Sequence, residues 1–179
     1  MEGIELDDNM QPVQSVAIIG AGNMGSGIAQ KTAQEEFDVQ MVDREAQWVE
    51  RGQSIIANFL SEAVERRIFS PQQVEDIQGR ITGVIGTENT DPDTDLVIEA
   101  VFEDFDIKTT VFNALNEVCS EKTILASNTS SLSVNELSAA SGRPDRFVGL
   151  HFFYHPAKNR LVEVIPGEDT SQETITRTV

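Results

Sequence analysis

The sequence has few basic residues and almost no cysteine. Its 13 lysines and arginines stand against 30 aspartates and glutamates, which gives a formal charge of −17. A surface this negative repels phosphate backbones and anionic lipids, so we expect neither nucleic acid nor a membrane as a partner. The one cysteine, Cys119, excludes an internal disulfide bond and fits a reducing, cytoplasmic location.

Long apolar runs and internal repeats are also missing. No stretch approaches the roughly 20 apolar residues that a membrane-spanning helix needs. The 39% hydrophobic content still suffices for a buried core, and 179 residues correspond to one domain with at most a fragment of a second. Residues 1–12 are polar and acidic, and we expect a flexible lead-in there, followed by one domain over residues 13–179.

A glycine-rich turn follows the first apolar run. Gly20, Gly22 and Gly25 have the spacing G-x-G-x-x-G, with Asn23 and Met24 between the last two. Such glycines permit a tight turn, a close approach of a ligand to the backbone, and close packing of the next helix. Because that helix directs N–H groups and its positive dipole end at the turn, the motif is typical of a dinucleotide pyrophosphate site. A glycine turn without a ligand is the alternative.

An acidic residue ends the second apolar run, about twenty residues further on. Asp43 closes the run Val39–Asp43, where a carboxylate holds ribose hydroxyls and repels the 2′-phosphate of NADP. NAD is therefore the expected cofactor. Arg44 keeps NADP open as an alternative, since arginine can bind that phosphate, but we interpret it as a surface residue near the adenine.

Strands alternate with helices along the whole chain, which predicts an α/β fold of the Rossmann type. We expect a doubly wound, mostly parallel sheet with helices on both faces. Helices from Glu45 and from Pro71 are more than one crossover needs, so we expect an inserted helical hairpin that projects from the domain. Thr170–Glu173 resembles a capping box, and we expect its helix to end before it buries a face, as in a truncated product.

Polar residues come directly after five of the apolar runs. Since ligands bind outside the carboxyl ends of the strands in such sheets, these residues should line one crevice. They are Gly20, Asp43, Glu99 to Glu103, Ser127 to Ser130, and His151.

His151 is the candidate for proton chemistry, because the chain has two histidines and imidazole is the side chain whose ordinary pKa lies nearest neutrality. A histidine that takes a proton needs a carboxylate partner, and Glu163, flanked by apolar residues, can supply it. A hydrogen-bonded core histidine is the alternative. Ser130 and Asn128 can hold a substrate oxygen for hydride transfer, or cap the helix near Ser133.

Two adjacent arginines, Arg66 and Arg67, are conspicuous in so acidic a chain. They can bind an anionic substrate tail or pair with neighbouring glutamates, and the sequence favours neither. His155 lies in a polar loop and receives no role.

Five stretches of the chain match a known family, namely residues 20–29, 97–103, 126–132, 146–153 and 161–165. They resemble the L-3-hydroxyacyl-CoA dehydrogenases, and the similarity extends from Val13 to Gly167. The resemblance implies NAD-dependent oxidation of an L-3-hydroxyacyl-CoA to the 3-ketoacyl-CoA, as in fatty-acid β-oxidation or its reverse.

The resemblance also implies roles for individual residues. His151 matches the general base, Glu163 its partner, Ser130 a substrate-binding serine and Asn128 an active-site asparagine. By the same resemblance, Glu103 and Lys108 approach the nicotinamide ribose, and the hairpin with Arg66 and Arg67 holds part of coenzyme A.

The chain departs from the family in two respects. Tyr154-His155-Pro156 stands where the family commonly has Asn-Pro after His-Phe-Phe, which puts one hydrogen bond in doubt. The family also continues into a helical domain that closes the cleft and forms the dimer. We therefore expect a homodimer for the full-length protein, and NAD binding with low activity for the 179-residue chain alone. A dehydrogenase of a hydroxy acid without CoA, or a non-catalytic dinucleotide-binding module, are the alternative functions.

Overall fold

The computed structural model describes residues 11–179, so most of the lead-in expected over residues 1–12 lies outside the described residues. Strands and helices alternate along this part of the chain. Their bounds are β1 (Ser15–Ile19), α1 (Asn23–Gln34), β2 (Asp38–Asp43), α2 (Ala46–Glu65), α3 (Pro71–Gly79), β3 (Ile81–Ile85), β4 (Leu96–Glu99), α4 (Phe105–Val118), β5 (Ile124–Ser127), α5 (Val134–Ala140), β6 (Phe147–Phe152), β7 (Val162–Pro166) and α6 (Gln172–Thr178).

The strands of the described residues form one seven-stranded sheet in the order β3-β2-β1-β4-β5-β6-β7. The first six run parallel, and β7 pairs antiparallel with β6. The predicted doubly wound, mostly parallel sheet is confirmed. From β1 the chain adds β2 and β3 on one side of the sheet, and it then returns to add β4 to β7 on the other side. Ligands bind at such a switch point, here between β1 and β4, in this architecture.

Successive residues of the central strands are buried on opposite faces of the sheet. Ile18 and Ile98 pack under α1 and α2, whereas Ala17 and Val97 pack under α4 and α5. Burial on both faces explains why these strands are continuous apolar runs rather than alternating ones. The carboxyl ends of the parallel strands are thereby fixed at one edge of the sheet.

The helical hairpin packs against the domain instead of projecting from it, which corrects our expectation. Val49, Ile56 and Leu60 of α2 are buried in the core that α1 also covers. The helix lies close to the glycine turn at Gly52, where a Cβ atom would lie 2.9 Å from the Cβ of Ala21. Because the apolar residues of α2 recur at helical spacing, they lie on one face of the helix, and this face packs against the core.

Helix α6 also differs from the prediction, because it does bury a face. Its N-cap is Ser171 rather than Thr170, and Ser171 Oγ accepts a hydrogen bond from the Thr174 amide. Thr174 and Thr176 are buried, and the Thr174 hydroxyl donates to the carbonyl of Asp145. The buried face is polar and satisfied by hydrogen bonds, so an apolar pattern could not reveal it.

Candidate active site at the carboxyl edge of the sheet

The glycine turn after β1 contains glycines that the fold itself requires. Gly20 has a φ of +107°, and a Cβ atom there would lie 2.7 Å from the carbonyl oxygen of Ala100. A Cβ atom on Gly25 would lie 1.7 Å from the carbonyl oxygen of Gly20. Both positions exclude any side chain, since a contact this short with backbone cannot be relieved by a rotamer change.

Gly22 is different, because nothing in the described residues requires it to be glycine. Its φ is −72°, an ordinary value for any residue, and a Cβ atom there would meet no atom of residues 11–179 within 4 Å. Gly22 is also the N-cap of α1, and no side chain from this part of the chain caps that end of the helix. Open space beside an uncapped helix N-terminus, next to Asn23 and Met24, fits the pyrophosphate of a dinucleotide.

Asp43 lies beside this turn, at the carboxyl end of β2. Its Oδ2 accepts a hydrogen bond of 2.8 Å from the Ala21 amide, and its Oδ1 accepts one of 2.8 Å from the Arg44 amide. The Arg44 side chain is 78% exposed and 3.3 Å from Glu45. The carboxylate is thus held next to the glycine turn, as the prediction of a ribose-binding acid requires.

His151 and Glu163 face each other across the antiparallel pair β6 and β7. They are register partners, and His151 Nδ1 lies 2.8 Å from Glu163 Oε2. Because a carboxylate accepts hydrogen bonds, Nδ1 carries the proton of this bond and the Nε2 lone pair can receive another. The sequence predicted His151 just after the strand, whereas it lies within β6, where strand pairing fixes its partner.

Asn128 connects the end of β5 to the residue after His151. Its backbone N–H donates to the Glu99 carbonyl at 2.8 Å, and its side-chain Oδ1 accepts from the Phe152 amide at 2.9 Å. The side chain therefore fixes the β6 backbone beside the imidazole. A direct contact of Asn128 with substrate stays a prediction.

Glu103 holds the loop that contains Ser130. Its Oε1 accepts hydrogen bonds from the Thr129 hydroxyl, from the Ser130 amide at 2.9 Å and from the Ser131 amide at 3.2 Å. The sequence placed Glu103 near the cofactor but did not reveal this bonding. The exposed Ser130 side chain is thus presented by a backbone that a carboxylate fixes.

Lys108 is buried in an ion pair at the same edge. Its Nζ lies 2.6 Å from Glu99 Oε1 and 3.2 Å from Glu103 Oε2, with the lysine side chain 1% exposed. Glu99 also accepts hydrogen bonds from the Ser127 hydroxyl and the Val101 amide, each of 2.7 Å. The predicted approach of Lys108 to the nicotinamide ribose stays a prediction, and its ammonium is held by two carboxylates.

Several contacts lower the pKa of Glu103 to about 2. Burial alone would raise this pKa, but hydrogen bonds from Thr129 and Ser130 and the charge of Lys108 outweigh it. Since the folded pKa lies below the ordinary value of 4.5, the stabilisation is complete above about pH 4.5 and is lost as the pH falls towards 2.

We predict that Glu103→Gln lowers the free energy of unfolding by about 1 kcal/mol at pH 7, a small value because the group is partly exposed. The difference from wild type should shrink as the pH falls below 4.5, because the Glu103 carboxyl of the unfolded chain then binds a proton, whereas the folded one stays ionised until about pH 2. Urea unfolding at pH 7 and pH 3 measures this, with the exposed Glu117→Gln as control. An equal difference at both pH values would contradict the assignment.

A cleft of about 550 Å³ lies between α1, the end of α2 and residues 157–160. Four cationic side chains line it, against two glutamates, although the chain as a whole is strongly acidic. We call it the basic cleft, and its cations are Lys31, Arg66, Lys158 and Arg160. Arg66 is also 3.6 Å from Glu62, so the predicted pairing with a neighbouring glutamate is observed, and binding of an anionic substrate tail stays a prediction. Arg67 is not among the lining residues, and the structure therefore separates the two arginines.

None of the helices in residues 11–179 is both long and apolar enough to cross a membrane. Within the same range, no three histidine, cysteine, aspartate or glutamate side chains are grouped so that they could hold a metal ion.

Comparison with known proteins gives a consistent result. The family model described as "3-hydroxyacyl-CoA dehydrogenase, NAD binding domain" matches residues 15–179. A probable 3-hydroxybutyryl-CoA dehydrogenase of Deinococcus radiodurans is 41% identical over 157 residues, which are 88% of this chain and 56% of that protein. The 3-hydroxybutyryl-CoA dehydrogenase of Clostridioides difficile is 38% identical over 159 residues, 89% of this chain and 56% of that protein. The chain thus spans just over half the length of these relatives.

Solved structures agree in fold and sequence. FadB2 of M. tuberculosis has a TM-score of 0.90 at 32% identity, over 94% of this chain and 59% of that one. The (S)-3-hydroxybutyryl-CoA dehydrogenase PaaH1 of Ralstonia eutropha has a TM-score of 0.87 at 36% identity, over 90% of this chain and 57% of that one.

Proposed function

The chain belongs to the 3-hydroxyacyl-CoA dehydrogenase family, of which it contains the NAD-binding domain, and from this we propose that the whole protein oxidises an L-3-hydroxyacyl-CoA to the 3-ketoacyl-CoA with NAD. The observation that carries the proposal is the 2.8 Å contact between His151 and Glu163. The pair lies at the same edge of the sheet as the glycine turn, three strand spacings or about 14 Å away. An extended dinucleotide spans such a distance.

The proposed proton acceptor is Nε2 of His151. It takes the proton of the substrate hydroxyl while the carbon that bears this hydroxyl loses a hydride, so that the C–O bond becomes a carbonyl. Glu163 holds the ring through Nδ1 and stabilises the imidazolium that results. Bound NAD supplies the hydride acceptor.

Ser130 and Asn128 are proposed to hold the substrate oxygens near this imidazole. Two hydrogen bonds that fix these residues support the proposal. Glu103 accepts a hydrogen bond from the Ser130 amide, and Asn128 accepts one from the Phe152 amide, next to His151. Groups fixed in this way lose little freedom on binding, which favours hydride transfer in one orientation. Glu103 and Lys108 are proposed to face the nicotinamide ribose.

The basic cleft is the proposed site for the anionic end of coenzyme A. Its cations complement the phosphates of that group, and Arg66 is the arginine from the predicted pair that lines it. Arg67, which does not line the cleft, is not needed for this role. Homodimerisation of the full-length protein, which the resemblance implies, stays a prediction that sedimentation would test.

The test is reduction of acetoacetyl-CoA by the full-length protein. We expect turnover with NADH at least about tenfold faster than with NADPH, since Asp43 repels the 2′-phosphate. We also expect free acetoacetate to be a poor substrate. Preference for the free acid would instead support a hydroxy-acid dehydrogenase, and NADH binding without any turnover would support a non-catalytic module.

A further inference from the structure

The loop that joins His151 to Glu163 is anchored on an aromatic residue of another element. This loop, residues 153–161, is called the His155 loop. The ring of His155 lies 4.2 Å from the ring of Phe59 on α2, measured between centroids, with the planes tilted by 30°. Lys158 Nζ lies 4.7 Å from the centroid of the same Phe59 ring. One phenylalanine therefore contacts the loop at two points.

The same loop also rests directly on α1. A Cβ atom on Gly27 would lie 3.1 Å from Pro156 Cδ and 3.2 Å from His155 Cε1. These distances are tighter than ordinary van der Waals contacts, so the absent side chain at Gly27 is what lets the loop lie this close. The His155 loop therefore packs against two helices, α1 and α2.

His155 also fixes the backbone that follows it. Its Nδ1 accepts a hydrogen bond of 3.3 Å from the Ala157 amide, and its carbonyl accepts bonds of 2.9 Å from the amides of Lys158 and Asn159. An accepting Nδ1 requires a neutral ring. Burial, together with the charge of Lys158, lowers the pKa of His155 and favours that neutral form.

We propose that His155 and Phe59 are positioning residues for recognition of the coenzyme A end of the substrate. The stacked rings hold residues 157–160 so that Lys158 and Arg160 line the basic cleft opposite Arg66. Neither ring takes part in hydride or proton transfer. This inference rests on the proposed function, because it takes the ligand of the cleft to be coenzyme A.

The experiment compares two thioesters in the full-length protein carrying His155→Ala. We expect KM for acetoacetyl-CoA to rise about tenfold, the factor for one displaced charge-assisted contact. KM for the N-acetylcysteamine thioester, which lacks the phosphates, should stay within twofold, as should kcat for both.

His155→Phe restores an aromatic ring on Phe59 and should bring KM for acetoacetyl-CoA back to within threefold of wild type. Tyr154→Ala is the matched control, because it removes an exposed ring 5.3 Å from that of His155 but leaves the contact between His155 and Phe59, so both KM values should stay within twofold.

Hydrogen exchange and calorimetry separate this inference from the proposed function. In His155→Ala, the amides of Lys158 and Asn159 should exchange faster, since their acceptor is no longer held. Equal rises in KM for both thioesters, or faster exchange without any change in KM for acetoacetyl-CoA, would overturn the inference. If the wild type turns over no thioester, the proposed function fails, and calorimetry with coenzyme A itself then tests the inference. Equal affinities of wild type and His155→Ala for coenzyme A would overturn the positioning role of His155. A tenfold loss of affinity in His155→Ala would support it.

Discussion

Replacing His151 with glutamine should lower kcat for acetoacetyl-CoA reduction by the full-length protein roughly 10²–10⁴-fold, the range for removal of a general acid or base. Glutamine keeps a polar group near the same place but cannot exchange a proton at neutral pH. The dissociation constant for NADH should stay within about twofold, because the glycine turn and Asp43 lie on other strands. Stopped-flow turnover and NADH fluorescence titration measure the two quantities.

Glu163→Gln tests the second half of the pair. Glutamine can still accept the hydrogen bond from His151 Nδ1, so the ring keeps its orientation, but the charge that stabilises the imidazolium is gone. We expect a loss in kcat of about 10²-fold, within the same range. Glu168→Gln removes an exposed carboxylate just beyond β7 and serves as the matched control. Should His151→Gln retain more than a tenth of wild-type kcat, the proton chemistry proposed for this pair would be wrong.

The central fold could be predicted from sequence because its strands are buried on both faces. Two short apolar runs bounded by turn residues predict strands over Ser15–Ile19 and Asp95–Val101. The structure has strands at Ser15–Ile19 and Leu96–Glu99. Right-handed crossovers then leave few possible arrangements of parallel strands. Because the carboxyl ends of parallel strands meet at one edge of the sheet, the polar residues at these ends were also predicted to lie together. Asp43 of β2 and His151 of β6 are found at this edge.

Helix α4 shows where the pattern of apolar residues is insufficient. The spacing of the apolar residues predicts a buried stripe through Ile107, Val111, Leu115 and Val118. In the structure Ile107 is 43% exposed, whereas Phe112 and Lys108 are fully buried. A buried lysine is tolerated only with a partner, and its partner Glu99 belongs to the preceding strand. Apolar periodicity cannot reveal such a pair, since both residues count as polar.

The contact between His155 and Phe59 could not be predicted for a different reason. The two residues are far apart in the chain, and each has an ordinary local explanation, one as a polar loop residue and the other as an apolar helix residue. Only the packing of the His155 loop on α1 and α2 brings them together. The one local signal was the departure from the family at Tyr154-His155-Pro156, which marks the loop without indicating its contact.

The glycines of the turn allow the fold and the cofactor site to be tested separately. Gly25→Ala places a Cβ atom of α1 1.7 Å from the carbonyl oxygen of Gly20, in the turn that follows β1. We expect a loss of more than about 3 kcal/mol in the free energy of unfolding, because overpacking of this kind forces the backbone to move. Gly22→Ala meets no protein atom within 4 Å and should cost less than about 1 kcal/mol, the typical penalty for alanine at an N-cap.

Gly22→Ala should weaken cofactor binding strongly although it hardly affects the stability of the fold. A methyl group at Gly22 occupies the space beside the uncapped N-terminus of α1, so we expect the dissociation constant for NADH to rise at least about tenfold. Gly79→Ala is the matched control, because a Cβ atom there also meets nothing within 4 Å but lies at the end of α3, away from the turn. Unfolding in urea and NADH fluorescence titration give the two readouts. If Gly22→Ala bound NADH as tightly as Gly79→Ala, the pyrophosphate would have to lie elsewhere, since a glycine that the fold does not need would then have no ligand to explain it.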